Sequence, residues 1–255
     1  MTEEKRLAGM LVEFGIHLDR EKLAQLIRFR DELFRWNRRF NLTAITDPDQ
    51  ALEKHLVDSL TILPLMGKGE TLLDIGSGGG FPSIPLKIAH PDWKIWSVDS
   101  SGKKIVFQKH IVSSFGLSDF YPLHDRVENL KENKDLPSFD VITCRAFASL
   151  AATLRLAEPL LAEDGSVVVM KGPEGEKELA AFLSEETSRQ WLCKEVIRLR
   201  LPLSDAARIL LVFVRRKKSG DEELAGRLCR GEASQRPGGR VFFLTGTGKC
   251  GSLLQ

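Results

Sequence analysis

Residues 71–86, TLLDIGSGGGFPSIPL, restrict the fold more than any other stretch of the chain. A short apolar run of strand length leads into Gly76, Gly78 and Gly80, and an apolar run compatible with a helix follows. Glycines at such a turn let the backbone approach a ligand without a Cβ in the way. Both dinucleotides and sulfonium nucleosides are held by glycine-rich turns after a first strand, so the flanking residues have to decide between them.

From Thr71 onward, β-rich runs alternate with helical ones. The strand candidates are 71–76, 94–99, 120–125, 139–145 and 166–172, and helical stretches are expected near 83–90, 101–115, 149–161 and 174–190. This alternation implies right-handed βαβ units and a parallel sheet. Two later runs, 192–201 and 208–215, are separated only by PLSDAA and should pair antiparallel. The expected class is α/β: a mostly parallel, seven-stranded sheet with helices on both faces, in a layout typical of Rossmann-like class I methyltransferases. A helical segment precedes it over 1–66, with an apolar stripe at Leu23, Leu26, Ile27, Leu33 and Phe34 and a second helix over 48–65 capped by Asp47. The catalytic domain is expected over 67–216, with the helical segment packed on it. The glycine-rich, charged stretch 217–255 reads as a disordered tail.

The 255 residues are 42% hydrophobic and carry a net charge of +2, so overall charge neither demands nor excludes a nucleic-acid partner. Cys144, Cys193, Cys229 and Cys250 show no metal-ligand spacing, and no metal site is expected. A reducing cytoplasm is the simplest setting for them. No apolar run approaches the roughly 20 residues of a membrane span. There is no P-loop, no GxSxG and no HExxH.

Charge discriminates between the cofactors. The dinucleotide fingerprint needs a third glycine where Phe81 stands. Asp74, just before the glycines, would repel a pyrophosphate, whereas it would attract the sulfonium and ammonium of S-adenosylmethionine. Asp99, at the end of the second strand, is placed to accept from ribose hydroxyls, or else caps the next helix.

The blocks NLTAIT (41–46), HLVDSL (55–60), DIGSGGGFPSIPL (74–86), VDSSGKK (98–104), RVE (126–128), CRAFASL (144–150) and KG (171–172) then resemble, in order and spacing, the glucose-inhibited division protein B family. These are bacterial 16S ribosomal RNA guanine-N7 methyltransferases, and the resemblance covers residues 10–215. It implies S-adenosylmethionine as cofactor and methylation of N7 of one guanine, with 16S rRNA or the 30S subunit as partner. It also implies that Gly76 and Phe81 lie against the cofactor, Val127 and Glu128 near its adenine, and Arg145 at the rim of the pocket. Gly78 is added from the loop argument. Ser83 departs from the family pattern, which has glycine there, and puts bulk beside the methionine end.

Guanine N7 carries a lone pair and no proton, so attack needs no general base. Asp58 is the candidate carboxylate for the charge that develops on the base; on this reading Asp58→Asn cuts turnover and spares cofactor binding. Arg145 follows a strand at the carboxyl edge and is the second catalytic candidate. Lys171 occupies the same edge, and Asn41 and His55 are candidates to position RNA. The arginines between Arg28 and Arg39 form a candidate phosphate surface, which would position RNA without reading its sequence. With one Tyr and four Trp in the chain, no single-strand stacking platform is evident. A monomer suffices. The competing readings are a class I methyltransferase for another acceptor, a nicotinamide oxidoreductase, which Asp74 and Phe81 disfavour, and a non-catalytic rRNA-binding assembly factor. Transfer of label to rRNA separates the first, nicotinamide binding the second and cofactor independence the third.

Overall fold

A computed structural model describes residues 2–66 and 71–216. The tail expected over 217–255 lies outside these residues. The sheet strands are β1 (Thr71–Ile75), β2 (Lys94–Asp99), β3 (Phe120–His124), β4 (Phe139–Arg145), β5 (Leu161–Lys171), β6 (Trp191–Arg200) and β7 (Ala207–Arg215). They lie in the order β3-β2-β1-β4-β5-β7-β6. The first five are parallel, and β7 runs antiparallel between β5 and β6. This is the α/β sheet expected from the alternation. The chain order reverses between β1 and β4, and the carboxyl ends of strands at such a switch point form the crevice where open α/β sheets take ligands.

Consecutive apolar residues in the central strands face opposite layers. Leu72, Val141, Val168 and Leu210 join one core cluster, and Leu73, Ile142, Val167 and Leu211 join the other. Strands buried on both faces read as continuous apolar runs for this reason. The first face is covered by α5 (Ser83–Ala89) and α6 (Gly102–Phe115), the second by α8 (Leu150–Ala157) and α9 (Gly175–Leu183), while α7 (Val127–Leu130) follows β3 as a single turn. Two helices end earlier than the sequence suggests. The run expected over 149–161 leaves the α-conformation at Glu158 because Pro159 cannot donate to the ladder, and β5 then starts at Leu161. The run expected over 174–190 ends as α9 at Leu183, followed by a 3₁₀ segment, Glu186–Gln190.

Helix α2 (Arg20–Phe40) packs over α5 and α6 through the rings of Phe29, Phe81, Phe107 and Trp36, and α1 (Glu3–Val12) packs on α2. Arg30 belongs to this joint. It is only 4% exposed and is held bidentately by Glu3 at 2.6 and 2.9 Å, which removes it from the phosphate surface suggested by the sequence. Arg28 lies over Phe115, and Arg35 pairs with Glu32 at 2.9 Å; Arg38 and Arg39 remain exposed at the end of α2. Asn41 is the left-handed C-cap of α2, at φ 48°.

Asp47 caps the next helix as its sequence predicts, with its carboxylate accepting from Gln50 N and Pro48 in the first turn. That helix is not uniform. It starts as α3 (Pro48–Ala51), widens to a π-helix over Leu52–Val57 and returns as α4 (Asp58–Leu60). The Asp58 N–H bonds to Glu53 and His55 carbonyls, leaving the Lys54 carbonyl for another donor. The wide turn also brings Glu53, His55 and Asp58 into the interior together. The Glu53 carboxylate accepts from the backbone of Leu203 and Ser204, which ties the β6–β7 connection to this helix.

Candidate active site

The candidate site is built at the carboxyl edge of β1, β2 and β4. After Ile75 the chain turns over the end of β2, where Gly76 N and Ser77 N both donate to Val98 O, at 2.9 and 3.1 Å. Gly76, Gly78 and Gly80 take φ of 70°, 59° and 88°, a region that side chains disfavour. Gln108 of α6 holds the loop from behind, donating to Gly78 O at 2.8 Å and Ser77 Oγ at 2.9 Å. Gly76 has a second constraint: a Cβ there would lie 2.3 Å from Phe147 Cδ2. Gly76→Ala is therefore expected to lower stability by about 1–2 kcal/mol from backbone conformation alone. It should lose more where Phe147 cannot move, and Phe147→Ala should relieve only that second part; denaturant unfolding of the single and double variants measures both.

Beside the loop lies a cavity of about 340 Å³, within the range of small-molecule sites. Gly76, Asp99, Val127 and Glu128 line it, together with Lys104 and Phe147, which the sequence patterns did not single out. Asp99 spans the cavity floor and the loop. Its carboxylate accepts from Gly78 N at 2.9 Å and Ser101 N at 2.8 Å, and Lys104 Nζ lies 3.5 Å away. The N-cap of α6 is Ser101 and no side chain caps that helix, so the capping reading of Asp99 does not hold; its carboxylate fixes the loop and faces the cavity.

Asp74 lies beneath the loop, fully buried. Its Oδ2 accepts from Ser83 N at 3.2 Å, while Oδ1 has no hydrogen-bond partner and neither does Ser83 Oγ. Burial pushes the Asp74 carboxyl up to about 7, opposed only in part by Ser83 and Arg145. Ser83 itself is enclosed at the start of α5, so its extra bulk is accommodated.

A second cluster joins the N-terminal helices to the same edge. Arg145, at the end of β4, donates to the freed Lys54 carbonyl at 2.8 Å, lies 3.6 Å from Asp58 and sits over the Phe81 ring at 5.2 Å. Asp58 is 3% exposed, and both its oxygens accept from Arg208 Nε at 3.1 Å. The free carboxylate expected near the acceptor is thus an ion-paired one, enclosed between two arginines from different strands. The Phe81 ring stacks on His55 at 4.4 Å and packs on Phe29 at 5.1 Å, so it fills the joint between the helices and the loop and does not line the cavity. An apolar ring gains more from that enclosure than from a polar cavity. Burial, with Arg145 nearby, drives the His55 imidazole down to about 3 and keeps it neutral. Its Nδ1 faces the donor-only Arg145 at 3.5 Å, so the proton is assigned to Nε2, which donates to Thr43 Oγ1 at 2.8 Å.

Lys171 is similarly engaged. Its ammonium donates to Ala148 O at 2.6 Å and pairs with Glu178 at 2.9 Å, so it holds the turn after β4. The cluster is invisible in the sequence because its partners are far apart: Arg208 and Asp58 are separated by 150 positions.

The family model for GidB, described as rRNA small subunit methyltransferase G, matches residues 22–205. The chain belongs to this family. A relative from Syntrophotalea carbinolica with the name ribosomal RNA small subunit methyltransferase G is 44% identical over 213 residues, spanning 84% of this chain and 98% of the relative. A relative of the same name from Geobacter metallireducens is 41% identical over 213 residues, spanning 81% and 94%. Among solved structures, a chain of a fibrillarin/Nop5p complex superposes with a TM-score of 0.50 at 18% identity, covering 63% of this chain and 84% of that one. That likeness concerns the fold.

Proposed function

We propose that this methyltransferase uses S-adenosylmethionine to methylate N7 of a guanine in the 16S rRNA of the small ribosomal subunit. The observation that carries the reading is the pairing of a nucleoside-sized cavity with an orphaned carboxylate oxygen at the switch point. Asp99, Val127, Glu128 and Gly76 would hold the nucleoside end. Asp74 Oδ1 and the Ser83 hydroxyl are buried polar atoms without partners in the protein, suited to the cationic end. A dinucleotide phosphate beside Asp74 would meet a carboxylate and no lysine or arginine from the glycine loop itself.

When bound, S-adenosylmethionine supplies a methyl group already activated by a positive sulfur. The protein then has little proton chemistry to do, because the acceptor nitrogen carries no proton. Its contribution is alignment, for which effective molarities on the order of 10⁵ M are available in well-oriented systems. Arg145 and Arg208 enclose Asp58 and fix the N-terminal helices against the carboxyl edge, so that the acceptor approaches a rigid rim. Asp58 on this reading positions Arg145. The exposed Arg38 and Arg39 at the end of α2 offer phosphate contacts beside the glycine loop, which α2 touches through Leu33 and Gly79. Among the described residues no helix is long and apolar enough to cross a membrane.

The test is transfer of radiolabelled methyl from S-adenosylmethionine to 30S subunits lacking N7-methylguanine, followed by nucleoside analysis. Label in 7-methylguanosine of 16S rRNA is the expected result. Label in another nucleoside, or none with cofactor binding intact, would overturn the choice of acceptor.

A further inference from the structure

We propose that Phe147 is the acceptor-binding residue, the surface on which the target guanine stacks; this rests on the guanine-N7 reading above. Seven large hydrophobic side chains are exposed among the described residues: Val12, Phe40, Val106, Tyr121, Phe147, Leu183 and Leu203. Of these, Phe147 alone lines the cavity, and the residue is 37% exposed. An aromatic ring on a cavity wall offers a face on which a planar ligand can stack.

The turn that carries the ring is fixed on both sides of it in sequence. Ala146 takes a left-handed φ of 50°, which turns the chain sharply out of β4. The next carbonyl, Ala148 O, is pinned by Lys171 Nζ at 2.6 Å, and Ser149 then caps α8 by accepting from Ala152 N at 3.3 Å. One edge of the ring rests on Gly76, where a Cβ would collide with it. The residue before the ring thus carries the backbone strain, and strain of this kind gathers at ligand sites.

The geometry suits this acceptor. The N7 lone pair lies in the plane of the base, so the methyl group has to arrive edge-on. A stacking surface must then flank the methyl path rather than end it. Phe147 stands on the wall of the cavity beside Gly76, and a base lying on its outer face would turn an edge toward the cavity. As the methyl moves from sulfur to N7, positive charge passes to the guanine, and the negative face of an aromatic ring favours that charge. Phe147 should therefore act in the transition state as well as in binding.

The experiment uses the full chain with 30S subunits lacking N7-methylguanine. Phe147→Leu keeps apolar bulk over Gly76 and removes the aromatic face; Phe147→Tyr restores the face. Phe147→Leu is expected to lower kcat/KM for 30S subunits roughly 10- to 100-fold, the range of base–aromatic stacking. Phe147→Tyr is expected to retain activity within a few-fold, with the S-adenosylmethionine Kd of both variants, by calorimetry, close to wild type. Equal activity of the leucine variant would overturn the stacking role. A cofactor Kd that weakens in step with kcat/KM would assign the ring to the cofactor instead. Loss of activity in both variants would make the role one of packing. Absence of 7-methylguanosine in the wild-type reaction would sink the underlying guanine reading, a separate result.

Discussion

Asp58→Ala is expected to cost about 3–5 kcal/mol of stability and most of the turnover, the range seen when one partner of a buried ion pair is removed. The variant leaves Arg208 and Arg145 facing each other without the carboxylate that both approach, at 3.1 and 3.6 Å. Arg145 is also bound to Lys54 O, and the π-helix that exposes this carbonyl carries Asp58 at its end. Loosening the pair should thus undock residues 48–60 from the carboxyl edge, and with them His55 and the Phe81 ring stacked on it. Thermal unfolding and methyl transfer should fall together in Asp58→Ala, and Asp58→Asn should fall part of the way in both. If Asp58→Asn lost turnover with its melting temperature unchanged, the carboxylate would be acting on the acceptor directly, as the sequence alone suggests.

Asp74→Asn is expected to weaken S-adenosylmethionine binding roughly 10- to 100-fold, the value of a hydrogen bond to a charged partner, and to abolish its pH dependence. Asp74 titrates near 7 in the fold against an ordinary 3.8, because burial opposes its charge. Between these values the folded chain holds a proton that the unfolded chain has lost. This contribution to stability is therefore largest at acid pH and declines as pH rises from about 4 to 7, by at most about 1.4 kcal/mol per unit. A cation placed at Oδ1 favours the ionised carboxylate, so binding expels the proton. Cofactor affinity should rise by up to tenfold per pH unit between pH 5 and 7 and then level off. In Asp74→Asn the profile should be flat, and the ligand-free variant should be at least as stable as wild type at pH 8. Calorimetry in buffers of different ionisation enthalpy reads the released proton directly; a wild-type affinity independent of pH would remove Asp74 from the cation site.

The two substitutions divide along the line between what was legible in the sequence and what was not. The Asp74 loop could be read because its parts are contiguous. A strand, four glycines and a helix start within 16 positions leave few alternatives, and the carboxylate beside them has one obvious electrostatic preference. The sheet was legible for a similar reason: strands covered on both faces show as apolar runs, and the short PLSDAA connection forces β6 and β7 to pair antiparallel. Helix ends were less legible. Pro159 stops α8 early, and the π-helix at Leu52–Val57 has the same apolar spacing as an ordinary helix over so few residues.

The candidate site was legible only in part. Gly76, Asp99, Val127 and Glu128, all read from the sequence as cofactor residues, line one cavity. Phe81 was expected against the cofactor, but its ring goes to the helices, because Phe29 and His55 offer it an aromatic enclosure. Counting Trp and Tyr missed Phe147, whose exposure depends on the turn at Ala146 and on a lysine from β5.

By itself, the sequence determined the α/β class, the antiparallel pairing of the last two strands and the family, because each is encoded in contiguous runs or in the spacing of short blocks. Only the tertiary structure decided which charges are spent on the fold. Arg30, Lys171 and Asp58 all read as candidate surface or catalytic charges, and each is engaged by a partner from another element. Local patterns report which face of an element is buried. They carry no record of which distant side chain meets it there, and the energy of an ion pair depends on that meeting and on the water it excludes.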